Sequence, residues 1–579
     1  MGSPAQHFDA VVVGSGFGGS VATYRLAEAG RTVCLLERGG PYPPGSFPRT
    51  PTQMRTNFWD PTQGLFGLFD FWSFAGLDVL VSSGLGGGSL IYANVLLRKD
   101  EAWFAREDTS GAGREYWPVT RADLDPHYDR VEAMLAPQSY PMEHEPYAST
   151  PKTRAFLDAA RRAGREAFHP PLNVLFGNEG EAPVPGTPIV EHEPNLHGAP
   201  RFTCRLTGEC DLGCNYGSKN SLDFTYLSAA ARLGADIRTG CEARVIEPRP
   251  EGGYTVRYIA YDPDADGEAV DLFDPARVSH TLTCDRLVLA AGTLGTVRLL
   301  LRNRAAFPRL SRRLGTRFCG NGDLLTFALK CSEERDGRRV PRTVDPTYGP
   351  VITSAIRYAD ENEGAEGRGF YIEDGGFPAF ATWLIQAAEM PGDMWRFRHT
   401  LARLLRERLR RDRYRHTGRS AMLAALFGSA EMSAGLLPML GMGRDVPDGR
   451  MYLRHNHLRV DWRKGRPGRL SRQGRSSPYF ERLRDACHEL ADALGAEFRD
   501  APLWFLSRVI TVHPLGGCPM GRHEGEGVVD AWGEAFGHPG LHVVDGAMMP
   551  GPVGANPSLT IAALSDRAAD RILERERPA

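Results

Sequence analysis

Apolar residues cluster near the start of the chain in runs whose spacing switches from strand to helix and back. Phe8 to Val13 is a short apolar run suited to a buried parallel strand. The glycine-rich turn Gly14-Ser15-Gly16-Phe17-Gly18-Gly19 follows it, and a helix is predicted from about Ser20 to Ala29, stopped by Gly30. Thr32 to Leu36 returns as a second strand and ends at Glu37. Far downstream the pattern recurs: Leu222 to Gly234 reads as a helix, Ala243 to Glu247 as a strand, and Asp285 to Ala290 as a strand that turns through Ala291, Gly292 and Thr293 into a helix from Leu294. A short apolar strand, Ile510 to Val512, precedes His513, and Asn556-Pro557 opens a last helix running to about Ile572.

These units place one nucleotide-type fold in separated pieces. The expected class is α/β, a Rossmann-like domain of residues 1–43, 218–312 and 513–579, interrupted by an α+β substrate domain of residues 44–217 and 313–512. Gly39 to Pro51, dense in Gly and Pro, carries the chain out as an extended connection. The aromatic residues Phe58, Trp59, Phe66, Phe69, Phe71, Trp72 and Phe74 then crowd a stretch too irregular for one helix face or one strand. It reads as a loop packed on the body or, over residues 57–75, as an apolar lid above a greasy substrate.

The chain of 579 residues has a formal net charge of -2, which gives no general attraction to nucleic acid, and no nucleic-acid module is present. Lysine is confined to Lys99, Lys152, Lys219, Lys330 and Lys464, a composition bias in favour of arginine. Ten cysteines are too sparse for a disulfide scaffold. Cys204, Cys210 and Cys214 form the tightest thiol group, without the paired spacing of a structural zinc site, so no metal is expected. The nucleotide motif begins too early to leave room for a secretory leader, and a cytoplasmic setting is expected. Arg396 to Arg419 is basic with leucines at helical spacing, and Ala421 to Met442 is largely apolar, which admits a peripheral membrane contact. Glu431, glycines and Pro438 argue against a spanning helix.

The chemistry concentrates in a few motifs. In the first turn Gly14 permits the tight bend, Gly16 lets backbone approach a pyrophosphate and Gly19 lets helix pack on strand, while Glu37 is placed for ribose hydroxyls. A second glycine-rich stretch, Ser82 to Asn94, is more than one nucleotide half needs and implies a large cofactor held along its length. His513 is followed by Pro514-Leu515-Gly516-Gly517, glycines that leave space for a planar ring, and imidazole is the side chain best suited to move a proton near neutral pH. The helix behind Asn556 turns its positive end on whatever lies beyond it.

Together GSGFGG with Glu37, GLGGGSLIYAN, AAGTLGT, HPLGGC and NPSLTIAAL resemble the glucose-methanol-choline (GMC) oxidoreductases, FAD enzymes that oxidise alcohols, and most of all their bacterial cholesterol oxidase branch. The resemblance implies that His513 orients or deprotonates a substrate hydroxyl and that Asn556 lies beside the reacting face of the flavin. It makes Glu373, five residues before Pro378, a base that also moves a proton during isomerisation of a steroid ring. The candidate cofactor contacts are Gly14, Ser15, Gly16, Gly18, Gly19, Glu37 and Arg38; then Gly84, Gly87, Gly88, Ser89 and Asn94; then Val245, Ala291, Gly292, Asp545, Gly546, Asn556, Pro557 and Ser558. Tyr92 stands where many members have Asn, and no histidine occupies Ser89 to Val95, so FAD is expected to bind noncovalently. The implied reaction is oxidation of a hydrophobic alcohol, a 3β-hydroxysteroid such as cholesterol before a sugar, with oxygen or another electron acceptor. The alternatives are a dehydrogenase that passes electrons from a non-sterol alcohol to a quinone or protein, an FAD-dependent lyase or decarboxylase, and a noncatalytic lipid carrier.

Overall fold

In a computed structural model the described residues are 6–104, 117–261, 270, 277–359, 368–379, 434–462, 476–501 and 509–575. The basic stretch Arg396 to Arg419 and the first part of Ala421 to Met442 lie outside them. The last part of that apolar stretch falls within the strand Leu437–Gly443, buried through most of its length. No helix among the described residues is long and apolar enough to cross a membrane.

The strand Gln6–Val13 lies at the centre of a seven-stranded sheet. Val33–Leu36 pairs on one side of it and His280–Leu289 on the other, both parallel. Asp236–Arg238 extends the parallel part beyond Val33–Leu36, and Leu541–Val543 joins the far half of His280–Leu289. Strands from the beginning, middle and end of the chain therefore form one sheet, its centre made of the buried apolar stretches 10–13, Val33–Leu36 and 287–289. Tyr254–Ala260 and Cys241–Pro248 complete it as an antiparallel meander.

The helix Phe17–Glu28 begins three residues before the expected start, since Gly16 already has extended backbone and the next residue can enter the helix. Gly19 is required for its packing: a Cβ there would lie 1.9 Å from the Gly14 carbonyl oxygen. Helices Arg121–Leu135 and Ser558–Glu574 are tied to it by Arg25 and Arg130, which both reach Asp566 and Asp570. The expected helix Leu222 to Gly234 forms only over Tyr226–Arg232.

A second, six-stranded sheet is antiparallel throughout, in the order Glu497–Asp500, Leu324–Leu329, Leu437–Gly443, Phe370–Asp374, Ala355–Tyr358, Ala167–Phe168. The aromatic stretch is more regular than its sequence implies. Phe69–Phe74 is a strand paired antiparallel with Leu77–Ser82, and Trp59–Asp60 pairs with Leu65–Phe66. Phe69 and Phe74 are buried while Phe71 is half exposed, so the alternation was masked by aromatic residues on both faces.

Candidate active site

A cavity of about 680 Å³ runs between the two sheets. Its floor is the first glycine-rich turn. Gly14 has a φ of 100°, and a Cβ there would lie 2.3 Å from the Ala290 carbonyl oxygen. At Gly16 a Cβ would meet nothing within 4 Å, so this backbone faces open space. The helix Phe17–Glu28 has no side-chain cap at Gly16 and no acid in its first turn, leaving its first amides and positive end to an anionic ligand. Gly87 and Gly88 face the same space from the second glycine-rich stretch.

Glu37 is buried, and Oε2 accepts from the Ser15 amide at 3.0 Å and its hydroxyl at 2.6 Å while Oε1 accepts from the Gly39 amide at 2.9 Å. The acid thus also fixes the turn that precedes the helix. Arg38 pairs with Asp70 at 2.7 Å and lies over Trp59. Ala291, Gly292, Asp545, Gly546, Asn556, Pro557 and Ser558 all line the cavity. Burial pushes the Asp545 carboxyl up to about 6, and its Oδ2 accepts from Thr296.

Several expected contacts form the frame instead. Gly19 and Gly84 pack behind the cavity, the Gly84 carbonyl accepting from the Ser15 hydroxyl at 3.3 Å. The Ser89 hydroxyl is used internally, donating to Gly86 and accepting from the Leu222 amide. Val245 does not line the cavity: a register shift opposite Arg257 and Tyr258 interrupts the alternation, so Ala243 and Arg244 both face inward. Asn94 is fully buried with a φ of 70°, its two polar side-chain atoms lack protein partners, and its neighbours Ala93 and Val95 line the cavity.

His513 follows the strand Val509–Thr511 and lines the cavity. Its Nδ1 is 2.8 Å from Oδ1 of Asp323, a residue the sequence reading did not single out. The other oxygen of Asp323 accepts from the Thr511 hydroxyl and the amides of Val512 and His513 at 2.8, 2.9 and 3.2 Å. A carboxylate that is only an acceptor keeps the imidazole proton on Nδ1 and leaves the Nε2 lone pair free to accept a proton. Gly516 and Gly517 do not make room for a ring. Their Cβ atoms would meet the Arg317 carbonyl at 2.0 Å and Met451 at 2.2 Å, so they serve the close pairing of Leu515–Gly517 with Thr316–Cys319.

The loop that carries Asp323 also holds Asn556. Asn321 donates to the Ala555 carbonyl at 2.9 Å and accepts from the Gly554 amide at 2.9 Å. Wholly buried Lys99 donates to the carbonyls of Pro552 and Val553 at 2.9 and 3.1 Å. Asn321 and Lys99 thereby fix the backbone that leads into Asn556. Its Oδ1 and the Ser558 hydroxyl are buried without protein partners at the uncapped start of Ser558–Glu574. The only sequence signal for the supporting loop was the turn-like Gly320-Asn321-Gly322-Asp323 after an apolar strand.

Glu373 is not a solvated loop acid. It lies in the buried strand Phe370–Asp374, fully buried, with Oε2 3.5 Å from the Asn556 amide nitrogen and Oε1 without a partner. Burial pushes its carboxyl up to about 8; nearby Asp374 and Asp323 add to the rise and the Asn556 bond opposes it. A carboxyl in this range is neutral at pH 7 and can both give and take a proton.

Cys204, Cys210 and Cys214 do not bring their sulfurs together; among the described residues the grouped metal-type ligands are His127, Asp566 and Asp570. Those acids are already neutralised by Arg25 and Arg130. Lys219 sits by the thiols instead, bonded to the carbonyls of Leu90, Tyr92 and Cys210 at 2.9–3.0 Å. Tyr92 itself lines the cavity and accepts from Asn173 at 2.6 Å.

The residues present fit a dinucleotide with an extended polar ring: an uncapped helix start for its phosphates, an acid at the end of the second strand, and unpartnered amide and hydroxyl groups of Asn94, Asn556 and Ser558. Comparison with known proteins agrees. A family model described as GMC oxidoreductase matches residues 488–565, and one described as an NAD(P)-binding Rossmann-like domain matches residues 12–42. A cholesterol oxidase of Mycobacterium tuberculosis is 29% identical over 97% of this chain and 90% of its own length. Paromamine 6'-oxidase of Streptomyces fradiae is 25% identical over 98% of this chain and 91% of its own length. The crystal structure of pyridoxine 4-oxidase from Mesorbium loti matches with a TM-score of 0.55 at 16% identity, covering 98% of this chain and 99% of that one.

Proposed function

The chain is a GMC oxidoreductase acting on CH–OH groups, and from this premise we propose that it binds FAD noncovalently and oxidises a hydrophobic alcohol, foremost a 3β-hydroxysteroid. The observation that carries this reading is that His513, oriented by Asp323, and Asn556 face one cavity whose substrate end is walled by Leu325, Phe327, Ile352, Leu440, Ile510 and Val512. Those side chains offer an apolar alcohol dispersion contacts and apolar surface to bury against. They give a sugar no hydroxyl partners.

When bound, FAD supplies the two-electron acceptor for the carbinol hydride. His513 Nε2 accepts the hydroxyl proton as the C–H bond breaks, leaving a ketone or aldehyde, and Asp323 stabilises the imidazolium that results. Asn556 and Ser558 would help hold the cofactor, and the positive end of Ser558–Glu574 would favour negative charge placed before it, a contribution of about 0.3–2 kcal/mol. Glu373, held neutral near pH 7 and bonded to cavity-lining Asn556 without lining the cavity itself, would use its unpartnered Oε1 as a proton shuttle for the oxidised substrate. The seven-stranded sheet serves the cofactor and the six-stranded sheet the substrate.

Anaerobic mixing of the yellow protein with cholesterol, a linear long-chain alcohol and a sugar tests the reading. Bleaching by the sterol is expected, with recovery and peroxide on admitting air if oxygen is the acceptor. Bleaching that persists in air would instead mark a dehydrogenase with another acceptor, and no bleaching by any of them would overturn the sterol assignment.

Asp323→Asn is expected to lower the rate of flavin reduction about 100-fold, the lower end of what a positioned acid or base contributes. An amide can donate as well as accept, so the imidazole is no longer held with its proton on Nδ1. The pH profile of flavin reduction measured by stopped flow checks this, and an unchanged profile would remove Asp323 from the mechanism.

A further inference from the structure

Beside Glu373 on the same strand stands a second acid, buried as completely but bound differently. Strand alternation turns Asp374 to the opposite face, towards the helix Pro151–Arg162. Asp374 Oδ1 accepts from the amides of Thr353 and Ser354 at 2.8 and 2.7 Å, and Oδ2 from the Thr353 hydroxyl and Lys152 Nζ, both at 2.6 Å. Lys152 is also fully buried and makes a second bond to the Val351 carbonyl at 3.2 Å. A cation in the first turn of a helix opposes the helix dipole, and replacing a buried ion pair by apolar groups of similar volume is often neutral or stabilising. Packing alone therefore gives no reason for charges here.

We propose that Lys152 and Asp374 are positioning residues for Glu373: Asp374 pins the end of the strand, and Lys152 offsets part of the negative charge that Asp374 presses on the Glu373 carboxyl. The inference rests on the reading above only in making Glu373 the proton-handling group.

The titratable and polar groups around Glu373 are Asp374, next to it on the opposite face of the strand, Tyr371 on its own face, Asp323 with His513 behind it, and the uncharged Asn556 amide. The neighbouring strand Leu437–Gly443 carries no charged residue. On the other side, Arg357 of Ala355–Tyr358 is exposed and paired with Asp100, and Tyr358 is stacked on Phe370. Among these groups Lys152 is the buried cation within contact of a carboxylate next to Glu373.

The test is a pH titration of the FAD-loaded enzyme by infrared difference spectroscopy, with the Glu373 carboxyl band assigned by its loss in Glu373→Gln. The midpoint is expected at about 8 in the unaltered protein. Lys152→Met leaves an unpaired anion beside Glu373 and should raise the midpoint by about one pH unit; Asp374→Asn leaves an unpaired cation and should lower it by about as much. The double variant should lie between the two single variants, and Lys152→Arg should not move the midpoint. If Lys152→Met fails to fold, the downward shift in Asp374→Asn decides. Midpoints that stay together, or single variants that shift in the same direction, would overturn the proposal. Because this readout needs no turnover, it stands apart from the alcohol assay: a failed assay with opposed shifts would sink the sterol reading and leave the charge pair standing.

Discussion

His513→Ala retains yellow FAD and slows anaerobic reduction by the alcohol about 10²–10⁴-fold, the range expected for loss of a positioned general base. The cofactor is retained because the groups that fit its phosphates and ribose, the open helix start at Phe17–Glu28 and Glu37, do not depend on the imidazole. On the proposed mechanism chemistry fails because Nε2, left free by the contact of Nδ1 with Asp323, is the proton acceptor. Stopped-flow absorbance at saturating substrate separates the two effects: a lower limiting rate with normal flavin content supports the assignment, whereas rapid bleaching in the variant removes His513 from the reaction.

Glu373→Gln has its largest expected effect on a different step. With a 3β-hydroxysterol that carries a neighbouring ring double bond, flavin bleaching persists within about tenfold, while isomerisation of the resulting ketone falls about 10²–10⁴-fold. Isomerisation requires a proton to be taken from one carbon and returned to another, and a carboxyl near 8 serves both halves of that transfer. In the unaltered enzyme the ionised fraction, and so the rate of proton removal, rises as pH climbs through about 8; in the glutamine variant that limb is absent. Product analysis across pH distinguishes this from a role for Glu373 in oxidation alone, which would lower bleaching and isomerisation together.

The same acid makes a prediction about stability. Its carboxyl ionises at about 4.5 when exposed and about 8 when folded, so between those values the folded state holds a proton that the unfolded state has released. Stability is therefore lost as pH rises from about 4.5 to about 8. Glu373→Gln removes that loss, and its melting temperature relative to the unaltered protein should rise across this window and be level below it.

Which parts of this were legible in advance follows from the range of the interactions involved. The first turn was readable because Gly14, Gly16 and Gly19 act within one strand-turn-helix unit, and because Glu37 closes it from the adjoining strand. The recurrence of the pattern at Asp285 to Ala290 revealed a fold in pieces, since a strand buried on both faces must be apolar wherever it occurs in the chain. His513 and Asn556 were singled out by the glycine- and proline-marked motifs around them, although Gly516 and Gly517 serve strand pairing and not a ring. Val245 stands outside the cavity lining at a bulge, and a bulge depends on the partner strand.

The sequence by itself determined the cradle and the three-part assembly of its sheet, because those features are written in local periodicity and in residue types with few alternatives, and it singled out His513 and Glu373 as candidate proton-handling side chains, the second by resemblance alone. Only the tertiary structure decided what state those side chains are in. Asp323 lies 190 residues from His513, and Asn556 lies 183 from Glu373, so no local pattern records the tautomer of the one or the burial of the other. An imidazole becomes a base, and a carboxyl a proton shuttle, through the dielectric and the charges that distant segments bring against them.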